Sequence, residues 1–233
     1  MKTIGILGGL GPESTVDYYK GINKAVHKKT NGSDYPQVIV YSANLNEFWK
    51  IIETREWDCL TDWLVGKIKT LHDAGADFAA IASNTPHIVF DEVKSRSPIS
   101  MISIVEQTCQ RAKSSGLKRC GLFGTGFTMQ TSFYQDCFGR EGIKIVVPDK
   151  DDQELINDKI FSELESGIVK DETRNLFLKI AQKMIDTESI DSLLLACTEL
   201  PLILRNDEYG IPFLNTTAIH IESIVEFCLS EAS

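Results

Sequence analysis

Two stretches of this chain, 116 residues apart, read as copies of one supersecondary unit. Residues 4–18 (IGILGGLGPESTVDY) align with residues 120–134 (CGLFGTGFTMQTSFY), pairing Gly5 with Gly121, Gly8 with Gly124, Thr15 with Thr131 and Tyr18 with Tyr134. Each copy has an apolar run, a glycine turn and a polar segment of helical period, so each reads as strand, turn and helix. A second pairing sets residues 78–87 (FAAIASNTPH) beside residues 192–201 (SLLLACTELP) and puts Ser83 opposite Cys197 at an offset of 114. Two motifs recurring in the same order at nearly the same spacing predict a duplicated chain that folds as two similar halves.

The rest of the sequence fits that frame. Short, mostly continuous apolar runs fall at residues 3–7, 38–42, 78–82, 101–104, 119–123, 144–147, 192–196 and 213–215, the pattern of strands covered on both faces. Helical stretches separate them: residues 13–29 behind Pro12, residues 57–74 ended by Gly75, and others starting near Glu106, Thr128, Asp152, Asp171 and Ala218. Strands alternating with helices predict an α/β protein with mainly parallel sheets. The expected boundaries are a first half of residues 1–100 plus 213–233 and a second half of residues 101–212. Loops after parallel strands carry ligand sites, so the marked loops should converge on a cleft between the halves.

Composition narrows the function. With 24 Lys+Arg against 33 Asp+Glu the formal net charge is −9, which argues against a nucleic-acid or anionic-membrane surface. The longest apolar runs fall well short of the ~20 residues of a spanning helix, and the start turns polar too early for a signal peptide, so a cytoplasmic protein is expected. The six cysteines form no CxxC pair and no Cys/His cluster, which disfavours a disulfide framework and a zinc site.

Three segments hold the chemistry. The loop Gly8-Gly9-Leu10-Gly11-Pro12-Glu13-Ser14-Thr15 bares backbone N–H groups beside a helix start; it reads as a tight turn or as a cradle for a carboxylate or phosphate, and lacks the Lys of a nucleotide loop. Its counterpart, Gly124-Thr125-Gly126-Phe127-Thr128, adds two hydroxyls. Ser83-Asn84-Thr85-Pro86-His87 ends an apolar strand with a dense polar cluster, either to bind a carboxylate or to cap a helix; His87 alone reads as structural. Cys197 sits in the equivalent place, where helix-start N–H groups should lower its pKa and favour thiolate. Glu199 reads equally well as a first-turn acid.

Taken together, these loops, with Cys197-Thr198-Glu199-Leu200-Pro201 and the closing Thr217-Ala218-Ile219-His220, resemble the aspartate/glutamate racemase family, in particular its aspartate racemase branch, over nearly the whole chain. The resemblance implies two flavodoxin-like halves with the active site between them, no metal or pyridoxal phosphate, a small amino-acid or dicarboxylate substrate and a homodimer. It also implies two cysteines flanking the substrate, one removing the Cα proton and the other returning a proton to the opposite face. Cys197 matches the second-half cysteine, and Ser83 stands where the first-half sulfur belongs. In this reading N–H groups at Gly9 and Leu10, with Asn84, Thr85, Thr125, Thr128 and Thr198, hold carboxylates and the enolate-like charge.

The serine has consequences. A hydroxyl is far less acidic than a thiol, so unaided Ser83 is a poor base, and proton removal should be easier from the Cys197 face. It keeps open two alternatives: a carboxylate-binding protein without turnover, and a one-cysteine decarboxylase or isomerase of small dicarboxylates. For the distal carboxylate Lys50 and Arg55 are candidates only.

Overall fold

The computed structural model describes residues 1–230. Among them lie two four-stranded, all-parallel sheets with the same internal order. The first unit, Met1–Gln107 with the chain from Ala218 on, holds β1 (Ile4–Gly8), β2 (Val38–Ser42), β3 (Phe78–Ile81) and β4 (Ser100–Ile102) in the order β2-β1-β3-β4. Between them run α1 (Pro12–Lys29), α2 (Leu45–Thr54), α3 (Trp57–Asp73), a 3-10 turn at Thr85–Val89 and α4 (Phe90–Arg96). β1 and β3 are buried throughout, which explains their unbroken apolar runs.

The second unit, Thr108–Thr217, repeats the order with β5 (Arg119–Gly124), β6 (Lys144–Val146), β7 (Ser192–Ala196) and β8 (Phe213–Asn215) as β6-β5-β7-β8. Its helices are α6 (Gly126–Gln130), α7 (Phe133–Arg140), α8 (Lys150–Ser162), α9 (Asp171–Glu188) and α10 (Leu200–Ile203), with a 3-10 turn at Leu164–Ser166. α5 (Ile104–Ser114) and α11 (Thr216–Leu229) carry the chain from one unit to the other.

Strand register extends the repeat to single residues. Ile4 lies beside Phe78 in the first sheet and Cys120 beside Ser192 in the second. Counting on from Phe78 and from Ser192 reaches Ser83 and Cys197 at the same step, so the two residues occupy equivalent positions just past β3 and β7. The glycines follow the same logic. A Cβ on Gly8 would sit 2.4 Å from Thr15 Cγ2, and one on Gly124 would sit 3.1 Å from Thr128 Cβ and from the Ala196 carbonyl. A threonine from the following helix presses against each strand end, but not the aligned one: the repeat pairs Thr15 with Thr131, whereas Gly124 meets Thr128.

Two expected boundaries shift. Residues 101–102 belong to β4, which pairs with β3 in the first sheet, and β8 pairs with β7 in the second. The crossings therefore fall inside helices rather than before strands, because an apolar strand gains most by completing the sheet it directly follows. Beyond β8 the chain does rejoin the first unit: Ile224, Val225 and Cys228 of α11 pack with Ile4, Ile6, Tyr18, Ile22, Val26 and Phe78. The Lys2 N–H donates to the Cys228 carbonyl at 2.9 Å. α2 and α4 are additions to the sequence reading; α2 is capped by the Asn44 side chain, which accepts from the Asn46 and Glu47 N–H groups.

Candidate active site

In each sheet the strand order reverses between its first and third strands in chain order, β1 and β3 or β5 and β7. In open parallel sheets ligands bind beyond the carboxyl ends of strands at such a reversal. The loops leaving those four strands are the ones that the sequence singles out.

After β1, Gly9 adopts φ +81°, and a Cβ there would lie 2.3 Å from the Ala43 carbonyl, so glycine is required on two counts. The Gly9 N–H is already used, donating to Thr15 Oγ1 at 2.8 Å, whereas Leu10 is buried with its N–H unclaimed among the described residues. Ser14, in the first turn of α1, donates from Oγ to the Ala82 carbonyl at 2.9 Å and so ties this loop to the residue before Ser83.

Ser83, Asn84 and Thr85 are all buried, at 9%, 5% and 7% exposure. Neither Asn84 nor Thr85 caps a helix through its side chain; Thr85 opens the 3-10 turn with Pro86 behind it. Ser83 Oγ touches no hydrogen-bond partner among the described residues, so neither a carboxylate, an amine nor an imidazole activates it. His87, which could have done so by proximity, is committed elsewhere. Its Nε2 accepts the Ile104 N–H at 3.3 Å, and burial, then the neighbouring His220, push its pKa down to about 3.

The second unit supplies the thiol. Thr125 caps α6, its Oγ1 accepting the Thr128 N–H, and the two hydroxyls lie 3.2 Å apart. The Gly126 N–H is claimed by Asn157 Oδ1 at 2.7 Å, so this loop, like the first, spends part of its N–H supply on holding its own shape. Cys197 is 7% exposed and is itself a buried member of the core that includes Leu195 and Leu200. Its Sγ donates to Glu199 Oε2 at 2.9 Å, and the Thr198 hydroxyl donates to the same oxygen at 2.7 Å.

That geometry reverses one expectation. Burial first, then the negative charge of Glu199, raise the Cys197 thiol well above its ordinary value rather than lowering it toward thiolate. α10 is a four-residue turn and carries too small a dipole to offset a carboxylate in contact. Glu199 therefore accepts the thiol's hydrogen bond as well as standing at the head of α10. Sequence reasoning missed Glu165, whose carboxyl is raised by burial and by Glu199, since nothing local marks a residue 34 positions before its partner. Lys50 and Arg55 are both exposed, Arg55 closing α2 in a left-handed conformation. Among the described residues no group of three or more His, Cys, Asp or Glu could hold a metal ion, and no helix is long and apolar enough to cross a membrane.

Residues 7–224 match the Asp/Glu/hydantoin racemase family. The chain belongs to that family. Membership makes it an isomerase and accounts for the paired sheets. The broad specificity amino-acid racemase RacX of Bacillus subtilis is 25% identical over 99% of this chain and 100% of its own length. An aspartate racemase homologue from Pyrococcus horikoshii shares 33% identity and a TM-score of 0.88, covering 99% of this chain and 100% of that one. An aspartate racemase from Picrophilus torridus, 24% identical with a TM-score of 0.74 over 98% of this chain and 94% of its own, shares the fold.

Proposed function

We propose that the protein racemises an acidic amino acid, aspartate or glutamate, without pyridoxal phosphate or metal, with Cys197 as acid/base on one face of Cα and Ser83 on the other. The thiol bonded to Glu199 beyond β7 carries this reading, in a chain whose family is one of racemases. In the resting site the thiol is protonated, so it is ready to donate. To act as base it passes its proton to Glu199; the thiolate takes the Cα proton, and the Cα–H electron pair moves into the α-carboxylate as an enolate. A proton from the Ser83 hydroxyl, or from water beside it, is delivered to the opposite face, and Glu199 and Ser83 then re-equilibrate with solvent. Leu10 N–H, Asn84, Thr85, Thr125, Thr128 and Thr198 are the proposed carboxylate and enolate donors, with Gly9 fixing the loop. A cytoplasmic homodimer belongs to the same reading.

Proton NMR of D- and L-aspartate and glutamate in D2O tests it. Loss of the Cα–H signal that disappears in Cys197→Ala supports racemisation; an unaffected Cys197→Ala overturns the assignment, and a thermal shift without exchange identifies a binder. The unpartnered Ser83 Oγ favours one further reading, single-thiol decarboxylation or isomerisation of a small dicarboxylate, which the same spectra would reveal as a changed carbon skeleton or geometry.

A further inference from the structure

Two cysteines that lie 28 residues apart in the chain meet in the second unit. Cys109 Sγ, on α5, donates to the Cys137 carbonyl on α7 at 3.9 Å, and the side chains of the two cysteines are hydrogen-bonded to each other. One turn further along both helices Lys113 Nζ donates to Glu141 Oε2 at 2.5 Å, again across 28 positions. Two contacts at one offset, four residues apart on each helix, mean that α5 and α7 run side by side in the same direction. The thiol contact is therefore set by helix packing.

The two thiols differ in their surroundings. Cys109 is 1% exposed, and burial raises its pKa, while the bond from Cys137 and the charge of Lys113 act the other way. Cys137 is only partly buried, so the pair meets solvent on that side. The third thiol of this region is engaged elsewhere: Cys120, in β5, is fully buried and hydrogen-bonded to Ser192, and burial pushes its pKa up to about 11.

We infer that Cys109 and Cys137 form a reversible disulfide, a modification site separate from Cys197, with a low-molecular-weight disulfide as the oxidant. The Cys137 thiolate attacks one sulfur of the oxidant; that S–S bond breaks, one thiolate leaves and a mixed disulfide remains. Cys109 then gives its proton to solvent and attacks the Cys137 sulfur, and the second thiolate of the oxidant leaves. Two protein thiols are oxidised to one S–S bond while one disulfide is reduced to two thiols. The link closes a loop containing β5 and α6 and joins α5 to α7 where they already pack. It goes beyond racemisation and does not depend on it.

The full chain in a Cys59→Ser background, which removes the exposed thiol, is incubated with excess glutathione disulfide. Of the five cysteines then left, three should remain open to iodoacetamide in denaturant, with no glutathione retained. The melting temperature should rise by about 5 °C and fall back on treatment with dithiothreitol. Cys109→Ala should stop at the mixed disulfide, holding one glutathione on Cys137, and Cys137→Ser should form no internal link. Cys120→Ala, with an unchanged circular dichroism spectrum, should still lose two thiols. A parent chain that keeps all five thiols, an oxidised chain that melts no higher, or an internal link that persists in Cys109→Ala or Cys137→Ser overturns the site. The readout is a thiol count, so its failure leaves the racemase reading untouched.

Discussion

Cys197 Sγ donates to Glu199 Oε2 across 2.9 Å, and the Thr198 hydroxyl donates to the same carboxylate oxygen from 2.7 Å. Because Glu199 both accepts from the thiol and raises its pKa, Glu199→Gln should separate two properties that usually move together. Alkylation of Cys197 by iodoacetamide at neutral pH should speed up, since the charge that disfavours thiolate is gone. Cα exchange should fall by about 100-fold, since the thiol has lost its proton acceptor. Exchange unchanged in Glu199→Gln would show that Glu199 is not that acceptor.

The two faces should differ in rate. Ser83 Oγ has no activating partner among the described residues, so solvent exchange at Cα should be faster from the enantiomer whose proton faces Cys197. Ser83→Cys supplies a group of far lower pKa at the equivalent register position and should raise exchange from the slower enantiomer by about tenfold or more. Equal initial exchange rates for both enantiomers in the wild-type protein would contradict the asymmetry.

Acid should unfold the first unit through its buried histidines. His220 accepts the Tyr18 hydroxyl at Nδ1, at 2.7 Å, and donates from Nε2 to the Ile102 carbonyl at 3.0 Å; burial pushes its pKa down to about 4. His87 is lowered to about 3. Both stay neutral in the folded chain while their unfolded counterparts take up protons near 6.5, so the unfolded state binds more protons and stability falls as pH drops from about 6.5 toward 4. Each group contributes about 1.4 kcal/mol per pH unit in that window. Urea midpoints at pH 7.5 and 5.0 should show the loss, and His220→Gln should reduce the difference between them.

Two glycines should respond oppositely to alanine. Gly9→Ala forces φ +81° on an L-residue and drives its Cβ to 2.3 Å from the Ala43 carbonyl, so a loss of about 3 kcal/mol or more is expected. Gly66, exposed inside α3 with nothing within 4 Å of an added Cβ, should gain about 0.5–1 kcal/mol when replaced by alanine. Thermal denaturation of the two variants measures both; a melting temperature unchanged in Gly9→Ala would remove the steric account of that loop.

What the sequence determined by itself was whatever repeats locally. The offset of 116 that pairs Gly8 with Gly124 and the offset of 114 that pairs Ser83 with Cys197 both match the strand register, because each motif is a local strand-and-turn pattern that recurs in the second copy. The eight apolar runs became the eight strands for the same reason. Tertiary structure decided the rest, where the interacting groups are far apart in sequence or where a side chain had a choice of direction. α11 fills the core beside Tyr18 and Phe78, a preference that no local pattern encodes. Glu199 folds back onto the neighbouring thiol instead of facing the turn, and its charge adds to the burial that already raises the Cys197 pKa. Loop N–H groups that look free in sequence are spoken for by Thr15 and by Asn157, since a buried donor takes the nearest acceptor that packing brings to it.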